Sequence, residues 1–300
     1  MNALKSAADL PSLKGQLAVI TGGNRGLGFE TATALLGAGA QVVIACRDPG
    51  KAQAAIGRLQ QQHPDAFVQA MALDVADLTA VRRFAAAFKT RFDRLDLLIH
   101  NAAAILVPQG LTVDGFETHF GTNHLGPFAL TGLLLDCLEA APAARVVSMS
   151  SMAHRLTAGL DPDDPGLKAR AYQPMDAYGR SKLAALLFTL ELDRRLKARG
   201  SRAMALTAHP GYSATNTDLG GFFLRLATRL FAQPAAQGAL PALFAATDTT
   251  LKGGEYIGPD GFKELRGSPR RVACSAQGRD AVMAQRLWAL SEQLTGVSYP

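Results

Sequence analysis

Short runs of apolar residues alternate along most of the chain with longer segments whose apolar positions recur at helical spacing. The short runs predict strands at 16–21, 41–46, 68–73, 95–100, 145–150, 202–208 and 254–257. The longer segments predict helices at 26–37, 49–62, 77–92, 120–140, 176–199 and 234–247, with a final helix near 280–294. Strands and helices are therefore expected to alternate from one end of the chain to the other.

The first five predicted strands are continuous apolar runs and do not alternate with polar residues. Strands buried on both faces have this pattern, as in a parallel sheet that helices cover on each side. Repeated strand–helix units joined by short loops require right-handed crossovers. We therefore predict an α/β fold with one doubly wound, Rossmann-like parallel sheet of about seven strands and helices on both faces.

Residues 15–300 are predicted to form a single domain, because no linker interrupts the alternation. Residues 1–14 are predicted to be an N-terminal extension, and residues 152–177 a loop insertion. Residues 212–233 connect a strand to a helix at unusual length, and we interpret them as a lid over the substrate. This lid segment has an apolar stripe, for which plain packing or contact with a membrane surface is the less favoured interpretation.

The composition limits the function further. Of the 300 residues 48% are hydrophobic and 19% are charged, which excludes a disordered chain. The formal charge of +6 is spread along the sequence, so we expect no nucleic-acid partner. The three cysteines have no short spacing, which predicts neither a disulfide framework nor a metal site and favours a reduced, cytoplasmic location. No signal peptide or membrane span is expected.

A glycine-rich loop follows the first predicted strand and opens the first predicted helix. It reads TGGNRGLG over residues 21–28, and its glycines let the backbone approach a pyrophosphate at the helix N-terminus. The alternative is a tight turn whose glycines only pack the helix against the sheet. The predicted phosphate-binding residues are Gly22, Asn24, Arg25, Gly26, Leu27 and Gly28.

The second predicted strand ends in Cys46, Arg47 and Asp48. In dinucleotide sites an acidic side chain at this strand end accepts a hydrogen bond from the ribose 2′-hydroxyl of NAD and repels a 2′-phosphate. Arg47, together with Arg25 of the glycine loop, would instead attract that phosphate. NADP(H) is therefore the predicted cofactor and NAD(H) the less favoured one. The order reverses if Asp48, and not Arg47, points at the ribose.

Tyr178 and Lys182 are four residues apart on a predicted helix, so the phenol and the ammonium share one face. A free tyrosine has a pKa near ~10, and a neighbouring ammonium lowers it. Such a pair could exchange a proton with a substrate at neutral pH. The spacing alone is common and also fits an exposed helix face. Two serines, Ser150 and Ser151, end a predicted strand, which is where open α/β sheets bind ligands.

Together these motifs resemble the short-chain dehydrogenase/reductase family. The matching segments are the glycine loop, NAA at 101–103, TNHLGP at 122–127, SMSS at 148–151, YGRSK at 178–182 and HPG at 209–211. Ser151 and Tyr178 are 27 residues apart, and the tail has YIGPDG at 256–261. Both features resemble the branch that holds retinol dehydrogenases and light-dependent protochlorophyllide reductases.

The resemblance implies roles for individual residues. Tyr178 would exchange the proton, and Lys182 would lower the pKa of that tyrosine and hold the cofactor ribose. Ser151 would polarise the substrate oxygen, with Ser150 as the alternative serine. Asn123 would anchor a water relay to the lysine, unless it is only a polar residue at a helix kink. The further cofactor contacts implied are Asp74, Val75, Asn101, Ala102, Tyr178, Lys182, Pro210, Gly211 and Thr215.

Two smaller alternatives concern single residues. Asp74 could instead be the N-cap of the next helix. His154 and His209 border the predicted cleft, and we interpret both as structural because no second ligand stands at metal-binding spacing. The resemblance also implies a homodimer or homotetramer through the helices that carry Asn123 and Tyr178, although the long insertion and tail could block it.

The predicted function is an NADP(H)-dependent alcohol dehydrogenase or carbonyl reductase that interconverts a ketone or aldehyde with its alcohol. Hydride transfer would use a site made of Asn123, Ser151, Tyr178 and Lys182, and the small-molecule substrate is expected to be apolar. One alternative is a non-catalytic NADP-binding redox sensor, which the presence of both Tyr178 and Lys182 disfavours. Another is a reductase of C=C bonds like the pigment reductases.

Overall fold

The computed structural model describes residues 4–165, 171–212 and 233–300. The strands of these residues are β1 (Leu17–Thr21), β2 (Gln41–Cys46), β3 (Val68–Ala72), β4 (Leu97–His100), β5 (Arg145–Met149), β6 (Met204–Ala208), β7 (Tyr256–Pro259) and β8 (Pro269–Arg271). They form one sheet in the order β3-β2-β1-β4-β5-β6-β7-β8. All neighbours are parallel except β7 and β8, which confirms the predicted doubly wound sheet.

The sheet has one strand more than the sequence pattern indicates. Strand β8 consists of Pro269, Arg270 and Arg271, which show no run or alternation of apolar residues. It lies at the sheet edge and pairs with β7 alone, where proline and charged residues are well tolerated. Its pairing depends on the turn from β7 and not on burial, so apolar periodicity could not detect it.

The helices of the described residues agree closely with the predicted segments, with one exception. They are α1 (Gly26–Gly37), α2 (Pro49–Gln62), α3 (Leu78–Lys89), α4 (Thr118–Phe120), α5 (Gly126–Leu133), α6 (Leu135–Ala140), α7 (Pro174–Ala198), α8 (Ala235–Thr247) and α9 (Ala281–Thr295). The segment predicted as one helix over 120–140 is interrupted, because a π-helical turn at Gly121–Leu125 separates α4 from α5. Such turns are rare and are frequent at functional sites.

Two apolar layers cover the two faces of the sheet. One layer joins the sheet to α3, α5 and α7 and contains Phe84, Phe128 and Phe188. The other joins it to α1, α2 and α8 and contains Leu35, Ile56 and Leu243. Every residue of β1 and β4 is buried, because helices cover both faces there. The continuous apolar runs in the sequence follow from this double coverage.

The C-terminal helix α9 packs against the outer side of α5 and α7. The Trp288 indole lies with its ring centroid 5.1 Å from that of Phe128 and 5.9 Å from that of Phe188. The Arg195 guanidinium, from α7, lies 4.3 Å from the indole centroid. The Tyr299 hydroxyl donates a hydrogen bond to the Phe128 carbonyl at 2.6 Å. Helix α9 therefore covers an apolar face of α5 and α7.

The predicted N-terminal extension is packed where the structure describes it, since Leu4 and Leu13 are buried in the layer that contains α1. In the described ranges no helix has both the length and the apolar character needed to cross a bilayer.

Candidate active site

A cleft of about 530 Å³ opens at the carboxyl ends of the central strands. The loops after β1, β2, β3 and β4 supply its walls, as expected where the strand order reverses in a doubly wound sheet. Ten of the predicted cofactor residues line it, namely Gly22, Asn24, Arg25, Gly26, Leu27, Arg47, Asp74, Val75, Asn101 and Ala102. Residues that the sequence places in four separate motifs thus share one cavity.

The glycine loop is packed too closely to accept side chains. A Cβ at Gly22, whose φ is +68°, would lie 3.1 Å from the Ala102 Cα. A Cβ at Gly28 would lie 2.5 Å from the Asn101 amide nitrogen. That amide donates a hydrogen bond to the Thr21 carbonyl at 2.9 Å. Gly28 and Asn101 therefore hold the loop against β4, while Gly22 and Gly26 face the cleft.

Helix α1 begins at the cleft with no side chain capping its first turn. Its first N–H groups and the positive end of its dipole are therefore available to an anion in the cleft. Arg25, the residue before the helix, also lines the cleft. The local structure thus has the features that the phosphate-binding prediction requires.

Arg47 and Asp48 point to different places. The Arg47 side chain is 79% exposed and lies beside the cleft, with a guanidinium nitrogen 3.6 Å from an Asp74 carboxylate oxygen. Asp48 is the N-cap of α2 and accepts a hydrogen bond from the Lys51 N–H at 3.0 Å. Both Arg47 and Asp48 line the cleft, so which of the two faces the ribose stays a prediction.

Two further observations concern this end of the cleft. Lys51 also lines it, which sequence reasoning missed because Lys51 lies in the first turn of α2 and belongs to no motif. The alternative role of Asp74 as a helix cap is wrong, because Asp77 caps α3 by accepting a hydrogen bond from the Ala80 N–H at 3.0 Å. Asp74 instead accepts a hydrogen bond from the Ala76 N–H at 3.0 Å and lines the cleft next to Arg47.

Tyr178 and Lys182 lie on α7 beside the end of β5. The Lys182 ammonium lies 5.7 Å from the centroid of the Tyr178 ring and donates a hydrogen bond to the Met149 carbonyl at 2.8 Å. The Ser151 hydroxyl interacts with the Tyr178 phenol. Ser150 is buried and donates its hydroxyl to the Lys182 carbonyl at 2.9 Å. The geometry thus brings together the side chains of Ser151, Tyr178 and Lys182. The Ser150 hydroxyl is instead engaged by a backbone carbonyl.

Burial determines the protonation of this group. It raises the pKa of the Tyr178 phenol, and the interaction with Ser151 offsets only part of that rise. Burial also lowers the pKa of Lys182 to about 8. In this structure the Lys182 ammonium is directed at the Met149 carbonyl and burial is the largest influence on the Tyr178 phenol, so the expectation that Lys182 lowers the pKa of Tyr178 stays a prediction. At neutral pH Tyr178 is therefore a protonated acid.

Asn123 lies in the π-helical turn, and all of its amide atoms have partners. Its carbonyl accepts a hydrogen bond from the Ala104 N–H at 2.8 Å, and its amide nitrogen donates to the Ala104 carbonyl at 2.9 Å. The same nitrogen donates to the Ser181 hydroxyl at 2.8 Å. The asparagine thus joins the cleft loop at Ala104 to the helix that carries Tyr178 and Lys182. These contacts are those of a satisfied polar group at a helix irregularity, and the water relay to Lys182 stays a prediction.

The loop after β6 carries Pro210 and Gly211 toward the same side. Gly211 has a φ of +65°, and a Cβ there would lie 2.4 Å from the Leu265 carbonyl oxygen, so glycine is required. The His209 ring accepts a hydrogen bond from the Gly211 N–H at 3.2 Å and donates one to Glu264 at 3.0 Å. Thr215 and residues 213–232 of the predicted lid lie outside the described residues.

The two histidines near the cleft have structural partners. The His154 ring accepts a hydrogen bond from the Ser275 N–H at 3.2 Å and donates one to the Ser151 carbonyl at 2.6 Å. His209 is fixed between Gly211 and Glu264. In the three described ranges no group of three or more His, Cys, Asp or Glu side chains could hold a metal ion.

Sequence reasoning missed a second cluster of polar side chains beside Tyr178. Glu117, His119 and Tyr172 are hydrogen-bonded to one another, and the His119 ring centroid lies 6.1 Å from that of Tyr178. Tyr172 is more than fifty positions from its partners, at 55 residues from Glu117. No spacing rule connects residues so far apart, and the only local signal was an acidic residue at the start of a helix.

Comparisons with known proteins agree with this geometry. The family model for short chain dehydrogenase matches residues 16–220. Human retinol dehydrogenase 13 is 37% identical over 314 aligned residues, covering 99% of this chain and 89% of the relative. A crystal structure of an uncharacterized protein from Mycobacterium paratuberculosis has 44% identity and a TM-score of 0.84, covering 98% of both chains.

A second solved structure was determined with a dinucleotide. The Pseudomonas aeruginosa RhlG/NADP active-site complex is 26% identical, with a TM-score of 0.63 and coverage of 85% of this chain and 98% of that one. The family model spans more than half of the chain, and the human relative aligns with nearly all of it. This chain therefore belongs to the short-chain dehydrogenase family of oxidoreductases.

Proposed function

We propose that the protein is an NADP(H)-dependent oxidoreductase that interconverts an apolar ketone or aldehyde with its alcohol. The observation that carries the proposal is the grouping of Ser151, Tyr178 and Lys182, which come from two distant parts of the sequence. Asn123 links this group to the wall of the cleft through Ala104. Hydrogen bonds of Asn123 to Ala104 and Ser181 thus connect the helix of the proton donor to a cavity with the features of a dinucleotide site.

The residues that line the cleft fit NADP(H). Gly22 and Gly26 of the glycine loop line the cleft, and the start of α1 has no capping side chain. Arg25, Arg47 and Lys51 line the cleft and outnumber Asp48 and Asp74, the two carboxylates that line it beside them, which suits a 2′-phosphate. The similar RhlG structure, which was determined with NADP, supports the same choice. When bound, the nicotinamide would supply or accept the hydride.

The protein's own groups would handle the proton. Because burial keeps the phenol of Tyr178 protonated at neutral pH, its hydroxyl can donate a proton to a carbonyl oxygen that becomes an alcohol. The Ser151 hydroxyl would donate a second hydrogen bond to that oxygen. Lys182, with a pKa of about 8, would remain largely charged at neutral pH and favour the phenolate left behind.

An apolar substrate is proposed from two observations. Ile105 and Val107 supply aliphatic surface on the wall of the cleft that follows β4. The name of the human relative specifies retinol, an apolar alcohol. A reduced, cytoplasmic setting is proposed on the three cysteines, all of which are free thiols.

The deciding experiment replaces the proposed acid. Tyr178→Phe removes the hydroxyl and keeps the ring, so NADPH-dependent reduction of apolar aldehydes and ketones should fall by roughly 10²–10⁴-fold. NADPH affinity, measured by fluorescence titration, should stay near that of the wild type. Tyr299→Phe is the matched control, since this substitution also removes one hydroxyl, which contacts the Phe128 carbonyl beneath α9 and not the cleft.

Undiminished turnover in Tyr178→Phe would refute the assignment. Tight NADPH binding by the wild type without reduction of any carbonyl in a broad panel would favour the redox sensor instead. Reduction of an enone at its C=C bond, with the carbonyl left intact, would favour the other alternative.

A further inference from the structure

Glu117 forms a hub of hydrogen bonds beside the proposed acid. The carboxylate is buried, with the residue 4% exposed. One oxygen accepts hydrogen bonds from the His119 N–H, the His119 ring and the Tyr172 hydroxyl, each at 2.9 Å. The other oxygen accepts one from the Phe120 N–H at 2.7 Å. A buried carboxylate is costly without such partners, so this one holds its surroundings in one arrangement.

The hydrogen bonds fix the state of the His119 ring. Its Nε2 accepts a hydrogen bond from the Val107 N–H at 3.2 Å, so Nε2 carries no proton in this arrangement. Nδ1 then carries the proton and donates a hydrogen bond to Glu117 at 2.9 Å, and the Tyr172 hydroxyl oxygen lies 2.9 Å from the same nitrogen. The Val107 N–H thus donates to His119, and His119 donates to Glu117. The Tyr172 hydroxyl donates to the same carboxylate.

The far end of this network is the wall of the cleft. Ile105 and Val107 line the cleft, and Leu106 between them has a φ of +51°. A branched residue rarely adopts that backbone conformation, which persists only where the surroundings enforce it. Two anchors do so, namely Asn123 at Ala104 and His119 at Val107. The aliphatic wall is therefore held from α4 and the π-helical turn.

We propose that Glu117, His119 and Tyr172 are positioning residues that hold the wall 105–107 in place next to Tyr178 and so set the affinity for the apolar substrate. Tyr172 belongs to the insertion, at its end nearest α7. The inserted segment thus contributes to substrate binding through a hydrogen bond to Glu117. This inference rests on the proposed function, since it concerns the carbonyl or alcohol that the same site would take.

Tyr172→Phe tests the inference because it removes one hydroxyl and keeps the ring. The KM for an apolar aldehyde should rise roughly 5–10-fold, the factor expected for one lost hydrogen bond. The KM for NADPH and the kcat should stay within about twofold of the wild type, because neither the phosphate loop nor Tyr178 is altered. Tyr299→Phe likewise loses one hydrogen-bonded hydroxyl, here from the contact with the Phe128 carbonyl, and should change neither KM.

A second measurement needs no turnover. Hydrogen exchange of the Val107 amide should be roughly 5–10-fold faster in Tyr172→Phe, while the Ala104 amide, held by Asn123, should exchange as in the wild type. An unchanged Val107 amide, or equal rises in the KM for NADPH and for the aldehyde, would overturn the proposal. If the wild type reduces no carbonyl, the proposed function fails, and the exchange rate alone decides whether the network positions the wall.

Discussion

Arg47 and Asp48 are adjacent residues of opposite charge, and their side chains have different partners. Asp48 caps a helix, and Arg47 lies beside the cleft. The sequence left this choice open, because a shift of one residue at a strand end reverses which side chain faces the ligand. Capping gives the Asp48 carboxylate a partner within α2, since Pro49 and Lys51 place position 48 at the start of that helix, and this favours Arg47 as the residue that would bind a 2′-phosphate.

Cofactor preference should follow from Arg47. In Arg47→Ala the KM for NADPH should rise roughly 10–100-fold, the effect of one or two lost charge-assisted hydrogen bonds to a phosphate. The KM for NADH should change little, and steady-state kinetics with both cofactors measures the difference. Arg91→Ala, an exposed arginine just after α3, serves as the control. Equal changes for both cofactors would contradict a role in 2′-phosphate binding.

Glu264 makes a pH-dependent contribution to stability. The hydrogen bond from His209, aided by the Arg155 guanidinium, lowers the pKa of Glu264 to about 2 against the opposing effect of burial. A carboxylate with a lowered pKa stabilises the fold above its unfolded pKa, near ~4.3. That contribution is lost as the pH falls from there toward the folded value of about 2.

Glu264→Gln should therefore lower the free energy of unfolding by about 1–3 kcal/mol at pH 7. The difference from the wild type should persist down to about pH 5 and shrink below it. Urea denaturation at a series of pH values measures both quantities. Glu255→Gln, which breaks the half-exposed pair with Arg271, should cost less than about 1 kcal/mol. A pH-independent effect at position 264 would show that the charge is not responsible.

Residues joined by local motifs were predictable, and residues joined only in space were not. Gly22, Tyr178 and Lys182 stand in short patterns whose chemistry the sequence indicates once several such motifs occur together in one chain. Glu117 accepts a hydrogen bond from Tyr172, which lies in the inserted segment 55 residues further along the chain. Nothing in the sequence near either residue indicates the other, so the contact could emerge only from the folded chain.

At the scale of elements, the π-helical turn ends where α5 approaches the loop after β3. A Cβ at Gly126 would lie 2.0 Å from the Val75 carbonyl oxygen, so the helix can pack here only with glycine. The sequence analysis allowed a helix kink at Asn123 but predicted one helix over 120–140, and it indicated neither the π-helical turn nor the close contact at Gly126. The regular strands and helices were predictable because double coverage of the sheet imposes continuous apolar runs.

Two glycine substitutions should have opposite effects. Gly126→Ala should destabilise the protein by about 1–3 kcal/mol, because the backbone at Val75 cannot yield to the added carbon. Gly57→Ala, within α2 and with open space around its Cβ position, should stabilise it by about 0.5–1 kcal/mol through helix propensity. Thermal unfolding of the two variants compares them directly. Similar melting temperatures for both would argue against the close contact.

At the scale of the whole molecule, α9 covers the side of α5 and α7 through which the family resemblance implies dimers or tetramers. The Ser291 hydroxyl of α9 accepts a hydrogen bond from His124 at 2.7 Å, and Trp288 packs on Phe128 and Phe188. A second subunit could reach those helices only after α9 left. The length and position of α9 were predictable from the apolar period, whereas its packing site was not.

The chain should therefore be a monomer in solution. Size-exclusion chromatography with light scattering should give a mass near 31.6 kDa at micromolar concentration. A dimer whose mass persists on replacement of Trp288 by alanine would show that assembly uses another surface. A dimer that requires an intact α9 would contradict the shielding argument.

Because α9 covers this face, the activity of the protein should not depend on its concentration. A partner supplied by the same polypeptide is always present, whereas a separate subunit dissociates when few copies remain. The rate per molecule should thus be the same in a nanomolar assay as in a concentrated stock, with no lag after the protein is diluted.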